Sequence, residues 1–265
     1  MSTKCNCFRL ADFMNRKEYT WVMYTPEEIL EQTAATAVVK VNKPLLTKLI
    51  LGFIGGAMIS LGYLAYLRVG GGLAGAAVFP VGLIVILLAG GELITGNMMA
   101  VAVGYFKKRV TLSELLQNWL VITLANIVGA IFVAYAFGVL AGTLTSGAAL
   151  KEALHVGQGK LTANFLTSFF SGIGCNWFVG LAVWLSYGAK DFSGKILAIW
   201  FPVMTFVAIG FQHSVANSFL IPFMIFIGHA TWVDFVSNFI PVYLGNIVGG
   251  AILISLFYTL AYKKH

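Results

Sequence analysis

Six long apolar runs, near residues 48–67, 76–106, 118–141, 164–187, 196–227 and 238–261, constrain this chain more than anything else in it. About 20 apolar residues, rising 1.5 Å each as a helix, cross the hydrocarbon of a bilayer, and four runs have about that length. The second and fifth are longer, at roughly 30 residues by the same measure. Each is also interrupted. The second carries Gly90-Gly91-Glu92-Leu93-Ile94-Thr95-Gly96-Asn97 and the fifth Gly210-Phe211-Gln212-His213-Ser214-Val215-Ala216-Asn217. Polar, glycine-rich backbone at membrane depth is tolerated only where protein or a water-filled cavity satisfies its amides and carbonyls. The pattern predicts an all-α membrane protein with six transmembrane helices, two of them broken, the breaks lining a pore.

Composition excludes the soluble alternative: 59% of residues are hydrophobic, only 10% are charged, and mean hydropathy is +0.86. A net charge of +7 could suggest nucleic acid, but its distribution argues otherwise. If the N-terminus is cytoplasmic and the spans alternate, the inside segments hold fourteen of the 17 Lys and Arg; Arg68, Lys151 and Lys160 alone fall outside. Such a bias orients a multi-pass protein of the cell inner (plasma) membrane with both termini in the cytoplasm. Residues 1–44 read as a cytoplasmic extension ending in an amphipathic helix, 45–262 as the pore domain and 263–265 as a cytoplasmic tail. Thr25-Pro26-Glu27-Glu28 is the helix-start signal, and Ile29, Leu30, Ala34, Ala37 and Val38 share one face. The stretch before it lacks the features of a cleaved secretory signal. The Cys5-x-Cys7 pair has no second pair, and no metal ligand set is expected.

The two halves match at an offset of 120 residues. Asn118, Asn126 and Gly129 pair with Asn238, Asn246 and Gly249; Gly90, Glu92 and Asn97 pair with Gly210, Gln212 and Asn217; Leu46-Thr47 and Gly52 pair with Leu166-Thr167 and Gly172. Three spans per half is an odd number, so the halves enter the membrane from opposite sides. This is a 3+3 inverted repeat with its two broken helices facing each other. Gly52-x-x-x-Gly56 and Gly245-x-x-x-Gly249 allow close helix contact, within the protomer or between copies.

His213 is the one histidine within a span, an ionisable group that is costly there and able to exchange a proton near neutral pH. Thr95 offers a hydroxyl to an anion or to His213. Glu92, the one carboxylate within a span, reads as a cap for loop amides, since a bare anion would repel anionic cargo. Gln212 is its counterpart. Asn97, Asn176 and Asn217 can hold the breaks or touch cargo. Lys160 can raise the anion concentration at the outer mouth. Phe79, Leu83, Leu93 and Phe206 flank the breaks as packing or as dry constrictions. No cofactor or catalytic constellation is expected, and the chain reads as a transporter and not an enzyme.

Glu92 to Asn97, Gly174-Cys175-Asn176-Trp177 with Leu181-Ala182-Val183-Trp184, Gly210 to Asn217 and Asn238 to Gly250 together resemble the formate/nitrite transporter family, over about 45–262. The formate-transporter branch is nearest, then the hydrosulfide channels. The resemblance implies an aquaporin-like protomer in a homopentamer, each protomer with its own pore. It makes His213 the central pore histidine, Thr95 the threonine of the mobile loop, and Asn176 and Lys160 the asparagine and lysine outside the constrictions. Phe79, Leu83 and Leu93 match one apolar slit and Phe206 the other. Two departures are Ile94, where some members carry an aromatic residue, and the 1–23 extension. The expectation is pH-linked passage of a small monovalent anion or its conjugate acid, formate first, with protons and the bilayer as the other partners. Hydrosulfide or nitrite on the same fold is the alternative, and a neutral-solute channel is the alternative from another class. Against the last, neither Asn97 nor Asn217 precedes a proline of an Asn-Pro-Ala loop.

Overall fold

Capping chemistry opens the first helix of the computed structural model, which describes residues 23–262. The Cys5-x-Cys7 pair, residues 1–22 of the N-terminal extension and the 263–265 tail lie outside the described residues. In α1 (Pro26–Asn42) the Thr25 hydroxyl accepts from the Glu28 amide at 3.3 Å, and the Glu28 carboxylate accepts from the Thr25 amide at 2.8 Å. Ile29, Leu30, Thr33, Ala34 and Ala37 recur on one face and are buried, so α1 lies along the helix at Ile94–Phe106 instead of spanning anything. Glu31 on its outer face pairs with Lys107 at 2.7 Å and with Arg109. These cations hold the Glu31 carboxyl below its usual range, the Lys107 contact foremost.

Six stretches are long and apolar enough to cross a membrane. They are α2 (Leu45–Arg68); α3 (Gly72–Val78) with α4 (Val81–Ala89); α6 (Leu112–Val133) with a π-helical end, Ala134–Leu140; α8 (Phe165–Gly188); α9 (Phe192–Ile209); and α11 (Trp232–Ile247), continued by π-helical Val248–Leu256 and α12 (Phe257–Ala261). The two overlong runs resume after their breaks as α5 (Ile94–Phe106) and α10 (Ser214–Phe226), both almost wholly buried. Outward-facing residues such as Leu116, Leu120, Leu124 and Val128 are exposed at helical spacing, a surface suited to lipid or to another copy. This is the all-α, six-span, doubly interrupted architecture the sequence predicts.

The offset of 120 holds in three dimensions. Helices α2 and α8 both begin and end 120 residues apart (45 and 165, 68 and 188), as do α5 and α10 (94 and 214, 106 and 226). Thr123 and Tyr243, themselves 120 apart, touch each other through their hydroxyls at 2.8 Å, which places the pseudo-twofold axis between them. Glycines bring the backbones together. A Cβ at Gly56 would lie 2.0 Å from the Asn126 carbonyl oxygen, and one at Gly249 would lie 2.4 Å from that of Ile173. Both small-residue motifs are therefore consumed inside the protomer, where close van der Waals packing replaces the hydrophobic drive that lipid cannot supply.

Three boundaries differ from expectation. The third and sixth spans begin at Leu112 and Trp232, six residues before the apolar density does, because Thr111 with Glu114 and Thr231 with Asp234 form capping boxes. The breaks are shorter than the polar stretches. Only 90–93 and 210–213 leave helical geometry, while Thr95, Asn97, Ser214 and Asn217 belong to the first turns of α5 and α10. Residues expected as an outer loop before the fourth span form a helix, α7 (Gly147–Leu161), with Lys160 in its last turn. It stands about 120 residues beyond α1, so each repeat comprises a surface helix and three spans.

Candidate pore site

Gly90 (φ 103°) and Gly210 (φ 87°) end the first half-helices in the positive-φ region where a Cβ would clash with the backbone. The chain then needs partners for free amides and carbonyls that lipid cannot provide. One asparagine per half supplies them. Asn126 Nδ2 donates to the carbonyls of Gly52 (2.6 Å) and Glu92 (2.8 Å), while its Oδ1 accepts from the Ile94 amide (2.8 Å). Asn246 repeats the pattern with Gly172 (2.8 Å), Gln212 (3.3 Å) and the Ser214 amide (3.0 Å). A second tier lies beneath. Asn97 donates to the Glu92 carboxylate and to Asn118, and Asn217 donates to Gln212 and to Asn238, all at 2.8–3.0 Å. Asn97, Asn217, Glu92 and Gln212 hold the breaks as the sequence suggests. Asn126 and Asn246 do the larger share, and their signal was available: a matched polar residue inside two apolar spans has to have a partner.

Side-chain charge departs from this symmetry. Glu92 accepts from Lys40 in the last turn of α1 at 2.8 Å and from Lys43 just past its end at 2.5 Å; its side chain is 1% exposed. Besides the Asn97 amide, two ammonium groups occupy its oxygens, and no backbone amide among the described residues does. Lys160 is the counterpart of Lys40, and their backbone carbonyls accept from the counterpart amides of Asn238 (3.1 Å) and Asn118 (3.5 Å). The Lys160 ammonium has no carboxylate partner among the described residues and sits 5.9 Å from the Tyr63 ring centre. Loss of solvation pushes its pKa down to about 8.

At the centre, His213 Nε2 lies 2.9 Å from Thr95 Oγ1, across the two halves. The Ala216 amide donates to Nδ1 at 3.1 Å, which makes His213 the N-cap of α10. An amide donor facing Nδ1 assigns the ring proton to Nε2, so His213 donates to Thr95 and leaves the threonine hydroxyl hydrogen for another acceptor. The positive end of α10 also opposes an imidazolium there. In this tautomer His213 is a donor fixed on Thr95.

Apolar residues close in from both sides. A cavity of about 70 Å³ is lined by Tyr63, Tyr66, Phe79, Lys160, Phe206 and His213. Its counterpart, about 10 Å³, is lined by Lys40, Leu83, Leu93, Asn97, Val183 and Tyr187. The second has room for one water at most, the first for a few atoms more. Phe79 and Phe206 meet edge to face with centroids 5.9 Å apart, and the Phe206 ring stacks against His213 at 6.1 Å. Phe79 therefore sits with Phe206 on the Lys160 side, and Leu83 with Leu93 on the Lys40 side; the resemblance had grouped Phe79 with the leucines. Asn176 lines neither cavity. It is fully buried and donates to the Asn246 carbonyl at 2.7 Å, backing the break, while its Oδ1 has no hydrogen-bond partner among the described residues.

A family model described as "Formate/nitrite transporter" matches residues 27–260. The formate channel BtFdhC of Bacillus thuringiensis is 50% identical over 251 residues, covering 91% of this chain and 96% of that one. Among solved structures, one titled "FNT family ion channel" superposes with a TM-score of 0.82 at 29% identity, covering 88% of this chain and 98% of its own. Another, titled "Pentameric formate channel with formate bound", reaches 0.71 at 28% identity and covers 83% and 98%.

Proposed function

The chain belongs to the formate/nitrite transporter family, and from that premise we propose that it is a pH-linked channel or transporter for small monovalent anions, formate first, which cross as their conjugate acids. One observation carries this reading: the His213–Thr95 hydrogen bond joins the two halves where apolar side chains close in, beside two small cavities that are each lined by one lysine. An anion is drawn to Lys160 or Lys40 by charge. Stripping its water in the slit costs several kcal/mol for a bare ion, so the anion takes a proton from hydronium in the vestibule, leaving water behind, and moves on neutral. His213 Nε2–H holds Thr95 oriented, and the threonine hydroxyl donates to a carboxyl oxygen at the midpoint. The proton leaves with the anion on the far side, and His213 keeps its own throughout.

The same reading has five copies assembling as in the solved pentameric channel, in the cell inner membrane, with the Lys40 face cytoplasmic. The positive-inside distribution supports that orientation. Transport, with no catalytic step, is the role. Uptake of labelled formate, nitrite, hydrosulfide, lactate and glycerol into proteoliposomes tests it. Formate flux that rises as the outside is acidified is expected. Glycerol flux without formate flux would replace the reading with a neutral-solute channel, and faster nitrite or hydrosulfide would reassign the cargo.

A further inference from the structure

The two mouths are built from repeat-related positions, yet their charged residues differ in a balanced way. On one side stand Lys40, Lys43 and Glu92; their counterparts 120 residues on are Lys160, Ala163 and Gln212. The first half thus carries one more cation and one more anion than the second, and the two extra charges touch at 2.5 Å. Each set sums to one positive charge. Glu92 and Gln212 perform the same structural task, accepting from Asn97 and Asn217, so the break itself does not require the carboxylate. Glu92 is also 2.8 Å from Lys40, the only lysine lining the small cavity, and without a second cation it would cancel that charge.

We propose that Lys43 is a positioning residue for transport: by offsetting the Glu92 charge it leaves the cluster that Lys40 presents to the small cavity with one net positive charge to recruit anions, and so keeps both mouths equally attractive to them. The inference rests on the anion-transport reading. Other charges nearby do not upset the balance. Lys48, whose counterpart is Ser168, turns its ammonium onto the Val41 carbonyl at 2.7 Å, against the negative end of α1. Glu114 and Asp234 are counterparts of the same sign, each in a capping box. On the other side Glu152 lies eight residues before Lys160 along α7, about 12 Å away by helical rise and roughly a screening length.

The test measures initial labelled-formate influx, at low and high salt, in right-side-out and inside-out membrane vesicles. Trypsin access to the Lys107-Lys108-Arg109 turn, which Glu31 ties to the Lys40 side, identifies the exposed face. With the Lys40 face outward, Lys43→Ala is expected to lower influx roughly three- to tenfold at low salt, an effect that fades at high salt. Lys43→Arg keeps the charge and should keep the flux. Lys43→Ala with Glu92→Gln recreates the other mouth's set and should restore influx. Wild type passing no formate from either face would sink the anion reading instead. Wild-type flux with an unaffected Lys43→Ala, a loss indifferent to salt, or a loss that the double variant fails to rescue would each overturn the role given to Lys43.

Discussion

Replacing Asn126 with leucine tests the proposition that one side chain per half makes an interrupted span tolerable. The substitution keeps the number of side-chain heavy atoms and removes three hydrogen bonds, two given and one received, at 2.6–2.8 Å. The Gly52 and Glu92 carbonyls and the Ile94 amide are then left without partners where water cannot reach. At about 1 kcal/mol per bond, the scale measured for membrane interiors, the loss is roughly 3 kcal/mol. For a chain of this size that is a fall of about 6–12 °C in the unfolding midpoint. Scanning fluorimetry in detergent micelles reads this directly. Asn246→Leu should fall by a comparable but smaller amount, because two of its bonds are 3.0–3.3 Å long. Asn126→Asp should land between wild type and leucine, since the acid is held protonated there and can accept from Ile94 and donate to one carbonyl but not to both. A midpoint within about one degree of wild type for Asn126→Leu would mean that something else satisfies the break, and the account of both interruptions would fail.

Thr95→Val removes the one hydroxyl that His213 orients, and formate influx is expected to drop roughly tenfold with the unfolding midpoint moving by only a few degrees; equal losses of both would make Thr95 a packing residue. The Lys160 ammonium, with its pKa at about 8, is charged below that pH and neutral above it. Influx from the Lys160 face at low salt and fixed formate should therefore fall as pH rises from 7 to 9, beyond the loss measured in Lys160→Arg, which stays charged; parallel profiles refute the role. Gly210→Val forces a β-branched side chain into φ 87° and should cost about 1–2 kcal/mol of stability. A fully stable Gly210→Val protein would show that the turn has another accessible geometry.

The fold was readable because its costliest features leave marks in the chain. Two glycine-rich stretches inside apolar runs, and one constant offset linking Asn126 to Asn246 and Gly90 to Gly210, carry the interruptions and the repeat. Apolar density finds spans but misses their capped polar starts, which is why Leu112 and Trp232 lie earlier than the hydropathy suggests. Helix α7 escaped because it is not apolar, although its offset from α1 would have exposed it. The site was legible as a set of residues and not as a geometry. Nothing along the chain tells which ring nitrogen of His213 carries the proton; the Ala216 amide decides that. Nor does sequence distance join Glu92 to two lysines some fifty positions earlier, or pair Phe79 with Phe206 across the pore.

The Thr123–Tyr243 contact has a meaning for how such a chain came to be. Its threonine already donates to the Trp119 carbonyl, so the phenol is the donor between them. Only positions lying on a dyad can touch their own duplicates. When the halves were still identical, the same residue must have met itself there, and two phenols would crowd that space while two threonines would leave it hollow. One small and one large partner fill it, so divergence at this spot was a division of labour between twins. Exchanging them, threonine for tyrosine and tyrosine for threonine together, should be tolerated far better than either change alone.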